Sequence, residues 1–219
     1  MSISIRVNEN LYLKDPTSTE IGIKILVEGL EMINDIGFES FTFKKLAQSI
    51  NTTEATIYRY FENKHNLLLY LINWYWGIIS YRLLLATANI ADPMQQLSNS
   101  ISVLTGLPDP SQPGYISEEM KLKQLVIQES GKALHTKSID IENQVGVYLN
   151  YKSIVSSVSE LVKKINPNFQ YPEMLISTLI ENANQQRFFS VHLPRLTNSS
   201  TDQDAVELFS QLIIKKVLQ

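Results

Sequence analysis

Apolar residues recur along this chain at helical spacing, and no stretch alternates with the period of two that a half-buried strand requires. Ile21, Ile25, Met32 and Ile36, beside Leu26, Leu30 and Ile33, predict one amphipathic helix over about residues 18–36. Gly37 follows at the position where a left-handed backbone is wanted. Thr42 then caps a short helix whose apolar face is Phe43, Leu46, Ala47 and Ile50. Asn51, of a residue type that tolerates positive φ, marks a tight turn. Thr53 caps the next helix, with Ile57 and Phe61 facing inward while Thr56, Tyr58 and Arg59 point elsewhere. Asn63 caps a long helix over about residues 64–91.

Asp92-Pro93 ends that helix and starts another, with proline at the first helical position. Residues 105–116, TGLPDPSQPGYI, hold three prolines and two glycines and read as a surface loop. Ser117, Glu118 and Glu119 open a helix to about Leu134. Further helices are expected over 140–166, ended by Pro167, and over 172–193, ended by Pro194. A polar cap region at 197–201 precedes the last helix, over 202–218. The expectation is an all-α fold of about nine helices, without sheet or internal repeat.

Composition narrows the class. The chain has 219 residues, 44% hydrophobic, and no cysteine, so disulfides and thiolate metal sites are excluded. MSISIRVNEN has no apolar signal-peptide core, and the apolar run from Leu67 to Ile79 is broken by Asn73, short of the roughly 20 residues a bilayer span needs. A cytoplasmic protein without a membrane segment is expected. His65, His135 and His192 are far apart, which argues against a metal site. No GxSxG, P-loop or GxGxxG occurs, and Glu118-Glu119 suits the positive end of a helix dipole. Neither a cofactor nor catalytic residues are predicted.

The stretch FESFTFKKLAQSINTTEATIYRYFENKHN carries the chemistry. Two short helices joined by a tight turn after a packing helix describe a helix-turn-helix unit, whose second helix enters the major groove of double-stranded DNA. Its N-terminal residues are Thr53, Glu54, Ala55 and Thr56. Glutamate accepts from cytosine N4, and Ala or Thr methyls pack on the thymine methyl. Tyr58, Tyr60 and Lys64 are placed to bond phosphates and set register. Charge argues the other way. The net charge is −3, and residues 1–70 hold seven Lys/Arg against nine Asp/Glu, so any positive potential is local to Lys44, Lys45, Arg59 and Lys64.

Over about residues 20–66 the chain resembles the TetR family of bacterial transcription regulators. The resemblance rests on Gly37-Phe38, on Thr42-Phe43-Lys44-Lys45-Leu46-Ala47, on Ala55-Thr56-Ile57-Tyr58-Arg59-Tyr60-Phe61, and on Asn63-Lys64 with Leu67-Leu68. It implies DNA binding, with Thr42 and Lys44 contributing from the second helix and Tyr58, Tyr60 and Lys64 gripping the backbone. The chain departs from the family at Ile21-Gly22, where Thr-Arg and a phosphate contact are usual. Asn51 stands where glycine is frequent, Thr52 at an apolar position, and Glu54 where Lys or Gln is common. Residues 1–66 are then a DNA-binding domain, joined by the long fourth helix to a C-terminal domain, 67–219, for ligand binding and dimerisation.

Trp76 and Tyr151 are candidate walls of an apolar effector cavity, with Lys152, Ser153 and Ser156 as polar contacts. The last two helices are apolar on more than one face, which predicts burial against a second copy and a homodimer. Two readings remain open. One is a repressor released from its operator by a small, mostly hydrophobic effector. The other is a DNA-binding protein that is constitutive or governed by a protein partner, its C-terminal part serving assembly. A helical enzyme is a distant third.

Overall fold

The computed structural model describes residues 5–112, 114–199 and 204–218, and the fold is all-α. Among the described residues there are ten α-helices, three short 3-10 turns and no strand. Helix α1 (Glu20–Ser40) starts where Thr19 Oγ1 accepts from the Gly22 N–H. It buries Ile25, Leu26, Leu30 and Ile33. Gly37, with φ 75° and ψ 154°, breaks it at the expected residue, in a region of the map that is essentially reserved for glycine. Next come α2 (Phe43–Ser49), α3 (Glu54–Tyr58) and α4 (Lys64–Thr87). Helix α4 stops short of the predicted 91 because Asn89 takes a positive φ of 59°.

Asp92 caps α5 (Pro93–Thr105) by accepting from Met94 N and Gln95 N, and α6 (Glu119–Leu134) follows the proline-rich loop. The single helix expected over 140–166 is in fact two, α7 (Ile139–Gln144) and α8 (Leu149–Ile165). Gly146, at φ 82°, separates them. Its N–H donates to Asn143 O and that of Val147 to Glu142 O, the pair of bonds that closes a Schellman helix end. Helices α9 (Pro172–His192) and α10 (Ala205–Val217) complete the chain. Asp204 caps α10 by accepting from Glu207 N. The predicted start at 202, and part of the cap region before it, lie outside the described residues.

By contacts the chain forms two compact units, Met1–Gly77 with Glu118–Leu149, and Ile78–Ser117 with Asn150–Gln219. Helices α6 and α7 therefore return to the unit that holds α1, α2 and α3. There α6 packs along α1. Glu129 Oε1 accepts from the Phe38 N–H at 3.0 Å, and its other oxygen pairs with Lys132 at 2.7 Å. A cluster fastens α7 to the start of α4. Glu142 Oε1 accepts from Ser138 Oγ at 2.6 Å and lies 2.9 Å from His65 Nε2, while its Oε2 accepts from Tyr148 OH at 2.6 Å. In the second unit α10 packs on α5 and α9 through Val206, Ser210 and Ile214. Arg187 joins that unit's helix ends, donating to Thr105 O and to the Asp204 carboxylate.

An ordered arm precedes α1, formed by 3-10 turns at Glu9–Leu11 and Pro16–Ser18. Leu11 and Pro16 are buried, and the second turn lies against α1 at Gly22. A Cβ at Gly22 would stand 2.2 Å from the Pro16 carbonyl oxygen.

That approach makes Gly22→Ala costly, because backbone must move to admit the methyl. A loss of about 1–3 kcal/mol is expected in chemical denaturation, and an unchanged midpoint would show that the arm does not pack there. Burial opposes ionisation of Glu142, yet the bonds from Ser138, Tyr148 and His65 outweigh it and hold the carboxyl below the ordinary glutamate range. Its contribution to stability is complete above the unfolded glutamate pKa of about 4.3 and is lost as pH falls through the lower folded value. Glu142→Gln should therefore flatten the acid limb of the stability curve and leave its shape near neutrality unchanged.

Candidate nucleic-acid interface

The two short helices are set by side-chain caps at both starts. Thr42 Oγ1 accepts from Lys45 N at 3.2 Å to start α2. Helix α2 ends on Asn51, at φ 53°, with Thr52 N donating to Ala47 O and Asn51 N to Gln48 O. The left-handed turn expected of Asn51 is present without glycine. Thr53 Oγ1 then accepts from Thr56 N at 3.3 Å to start α3, and the two threonine hydroxyls lie 3.1 Å apart. Each such cap is worth about 1 kcal/mol. Phe43, Leu46, Ala47, Ile57 and Phe61 are buried and fix the pair on its packing side.

What remains outward on α3 is Glu54, Ala55 and Tyr58, with Arg59 at its C-cap; Thr53 is exposed at the N-cap and Thr56 half-buried. Tyr58 is 48% exposed, its ring edge-on to Phe43 at 5.1 Å. Phe43 thus holds the phenol in place while leaving much of it in solvent. On α2, Thr42 and Lys44 are exposed, and Lys45 Nζ donates to Ser40 O at 2.8 Å.

Two of the expected backbone grips are placed otherwise. Tyr60 is only 3% exposed, and its hydroxyl lies 2.7 Å from Thr19 Oγ1, tying the end of α3 to the start of α1. Lys64 Nζ donates to the carbonyl oxygens of Phe38, Glu39 and Phe41 at 2.9, 3.2 and 3.1 Å, and sits 4.6 Å from the Phe38 ring centroid. An ammonium has three N–H bonds to give. All three go to the end of α1, so Lys64 holds the frame and is not free for a phosphate. The sequence signal for this is Gly37 itself, since a helix break there leaves carbonyls in need of donors.

The two expected cavity walls fall in different compact units. Trp76, 7% exposed, belongs to the core of the first unit, its ring 4.9 Å from that of Tyr75. Tyr151 belongs to the second unit, and its hydroxyl donates to Glu181 Oε1 at 2.7 Å. Burial and the Glu181 charge both push its phenol pKa up. A cavity of ≈ 310 Å³ in that unit lies elsewhere, among Ser80, Leu83, Leu84 and Thr87 of α4, Gln96 and Ser100 of α5, and Ser153, Ile154, Ser157, Val158 and Leu161 of α8. Of the polar contacts expected on α8, Ser153 is in this lining; Lys152 and Ser156 are not. No charged or aromatic side chain lines it. A second cavity in the unit, ≈ 440 Å³, carries both signs of charge through Arg82, Asp109 and Glu207. Among the described residues no three His, Asp or Glu side chains converge as a metal site, and no helix is long and apolar enough to cross a membrane.

Comparison with known proteins places this geometry. Residues 25–71 match the sequence model of the bacterial regulatory proteins of the tetR family. The tetracycline repressor protein class G of Vibrio anguillarum is 36% identical over 44 residues, a match covering 20% of this chain and 21% of that protein's length. Among solved structures, a transcriptional regulator from Rhodococcus sp. Rha1 aligns with a TM-score of 0.66 at 14% identity, over 94% of this chain and 97% of that one. AibR, solved in complex with isovaleryl coenzyme A and operator DNA, aligns with a TM-score of 0.60 at 16% identity, over 88% of this chain and 95% of its own. At such identities the structural likeness establishes the fold, while the sequence match falls on the helix-turn-helix itself. Together they show that residues 25–71 are similar to the bacterial regulatory proteins of the tetR family and that the chain shares the all-α fold of such regulators.

Proposed function

We propose that this regulator is a homodimeric repressor that reads its operator through α3 and is released by a small uncharged molecule bound among α4, α5 and α8. The observation that carries the DNA-reading role is the outward set on α3, held by caps at both helix starts and by the Phe43–Tyr58 contact. Glu54 and Ala55 stand in the first turn, where base edges are met, and suit a cytosine amino group and a thymine methyl. Tyr58, with Thr42 and Lys44 on α2, serves the phosphates. Thr53 and Thr56 chiefly shape the turn, since each hydroxyl faces the other. Because the DNA-binding part has no excess of positive charge, non-specific affinity is modest and base contacts carry much of the discrimination.

Dimerisation is supported by α10. Its buried stripe of Val206, Ser210 and Ile214 leaves Leu208, Phe209 and Leu212 exposed on the same helix, with Met174 and Val191 exposed on α9. A second copy related by a two-fold axis covers such a face and presents two α3 helices to half-sites about 34–36 Å apart. Ligand control is supported by the ≈ 310 Å³ cavity, built from helices alone, one of which is α4. Its lining favours an aliphatic molecule with hydroxyl or carbonyl groups, within the mostly hydrophobic class expected from sequence. Thr87 and Ser100 already donate to Leu83 O and Gln96 O, which leaves their oxygens as acceptors. AibR, whose structure holds both an acyl coenzyme A and operator DNA, is a precedent for one fold taking both partners. Such a regulator works in the cytoplasm, where its operator lies.

Selection from random duplexes with the full-length chain should yield a preferred sequence, and Glu54→Ala should relax preference at one base pair by about 1–3 kcal/mol while leaving random-duplex affinity unchanged. Equal losses on both would remove Glu54 from base reading, and no binding at all would remove the DNA function. Repeating the assay with uncharged small molecules tests release. Leu212→Glu should convert a dimer into a monomer in a mass measurement at micromolar concentration. A wild-type chain that is already monomeric there overturns the assembly.

A further inference from the structure

With Tyr60 buried and Lys64 engaged on carbonyls, fewer groups around α3 remain to meet DNA, and one exposed cation comes from outside the helix-turn-helix. The arm before α1 is fixed on both sides of Lys14. Leu13 N–H donates to Tyr60 O at 2.8 Å, Tyr12 packs edge-on to Tyr70 at 5.9 Å, and Pro16 is buried. Lys14 itself is exposed, with Nζ 5.2 Å from the centroid of the Tyr60 ring. The adjacent carboxylate, Asp15, is turned into its own 3-10 turn, accepting from Thr17 N and Thr17 Oγ1. Tyr60 lies two residues past the end of α3, so the arm brings an exposed ammonium to the C-terminal end of that helix.

Dimensions decide what such a cation meets. Five residues of α-helix span about 7.5 Å at 1.5 Å per residue, less than the major groove's width of about 12 Å. Helix α3 thus fits within the groove, and since the first turn of a reading helix meets the base edges, a group beyond its C-terminal end lies toward the phosphate backbone. Gly22 closes off one alternative. A side chain there would collide with Pro16 O, so that position of α1 carries no cation while the arm is seated.

We propose that Lys14 is a DNA phosphate contact, supplied by the arm at the C-terminal end of the reading helix. This rests on the DNA-binding function proposed for α3 and adds to it a residue outside the helix-turn-helix. Because the backbone on both sides of Lys14 is already fastened in the free protein, the contact orders only one side chain when DNA arrives.

The test is the salt dependence of binding, measured with the full-length chain on a duplex selected by the wild type and on a random duplex. Lys14→Gln should lower the slope of log affinity against log salt by about 0.9 on both duplexes, so that the affinity lost between 50 and 200 mM salt shrinks by about 3.5-fold. Lys14→Arg should keep the wild-type slope. Lys24→Gln, which removes an exposed cation of α1, should leave it unchanged, and thermal unfolding should be the same for all three variants. A wild-type slope in Lys14→Gln, or an equal fall in Lys24→Gln, overturns the proposal while the DNA-binding function stands. A wild-type chain that selects no duplex overturns both.

Discussion

The break of α1 at Gly37 is the constraint on which the helix-turn-helix unit depends. A helix that stops inside a folded unit leaves carbonyls and N–H groups to be satisfied. Here other helices supply the partners: Lys64 of α4 gives its three N–H bonds to Phe38, Glu39 and Phe41, and Glu129 of α6 takes the Phe38 N–H. Two helices distant in sequence are thereby fastened to one turn of backbone. Burying a charge without partners is expensive, and here the bonds that relieve it also set where α4 begins. Helices α2 and α3 fill the stretch between that turn and the start of α4, so their placement follows from it.

Local backbone chemistry is largely legible in the sequence. Gly37, Asn51, Thr42 and Thr53 do what their residue types demand, because caps and positive-φ turns involve only neighbours a few positions away. Tyr60 and Lys64 suggest phosphate grips for a reason equally physical: a hydroxyl and an ammonium near a reading helix suit that task. Spacing along a helix does not say that Thr19 or the end of α1 will claim them first, since those partners lie 41 and 23 to 26 residues away. The arm carries no signal at all, its short 3-10 turns having no extended hydrophobic period. The break at Gly146 is hidden by helical patterning on both sides of one glycine. Trp76 is packed in a core and Tyr151 is bonded to Glu181, partners that spacing does not reveal, because aromatic rings fill cores as readily as they line cavities.

Charge acquires a different meaning once the partners are known. Lys64 is spent on carbonyls, so the cations free about α2 and α3 are fewer than the composition suggests. Counterion release scales with phosphates neutralised, and a small set of cations gives a shallow salt slope. If α3 reads DNA as proposed, discrimination comes from base edges, which suits a helix whose first turn offers a carboxylate and a methyl in place of another cation.

On the proposed function, the same bonds are where an effector's influence would reach the helix-turn-helix unit. That unit is discontinuous in sequence, joined to the rest through α4 and through the two ends of the α6–α7 segment. Both routes end on α1: α4 through Lys64 and α6 through Glu129, each at the turn after Gly37. An effector lowers DNA affinity only by binding the DNA-incompetent arrangement more tightly, and a 100-fold preference corresponds to about 2.7 kcal/mol. That is comparable to the cost of disturbing one charge-assisted hydrogen bond, about 1.5–3 kcal/mol. Moving α2 and α3 as a body therefore does not require their core to be rebuilt. It requires only that the charged bonds at the Gly37 turn have a second arrangement of nearly equal energy, which a break held by long, flexible side chains is suited to provide.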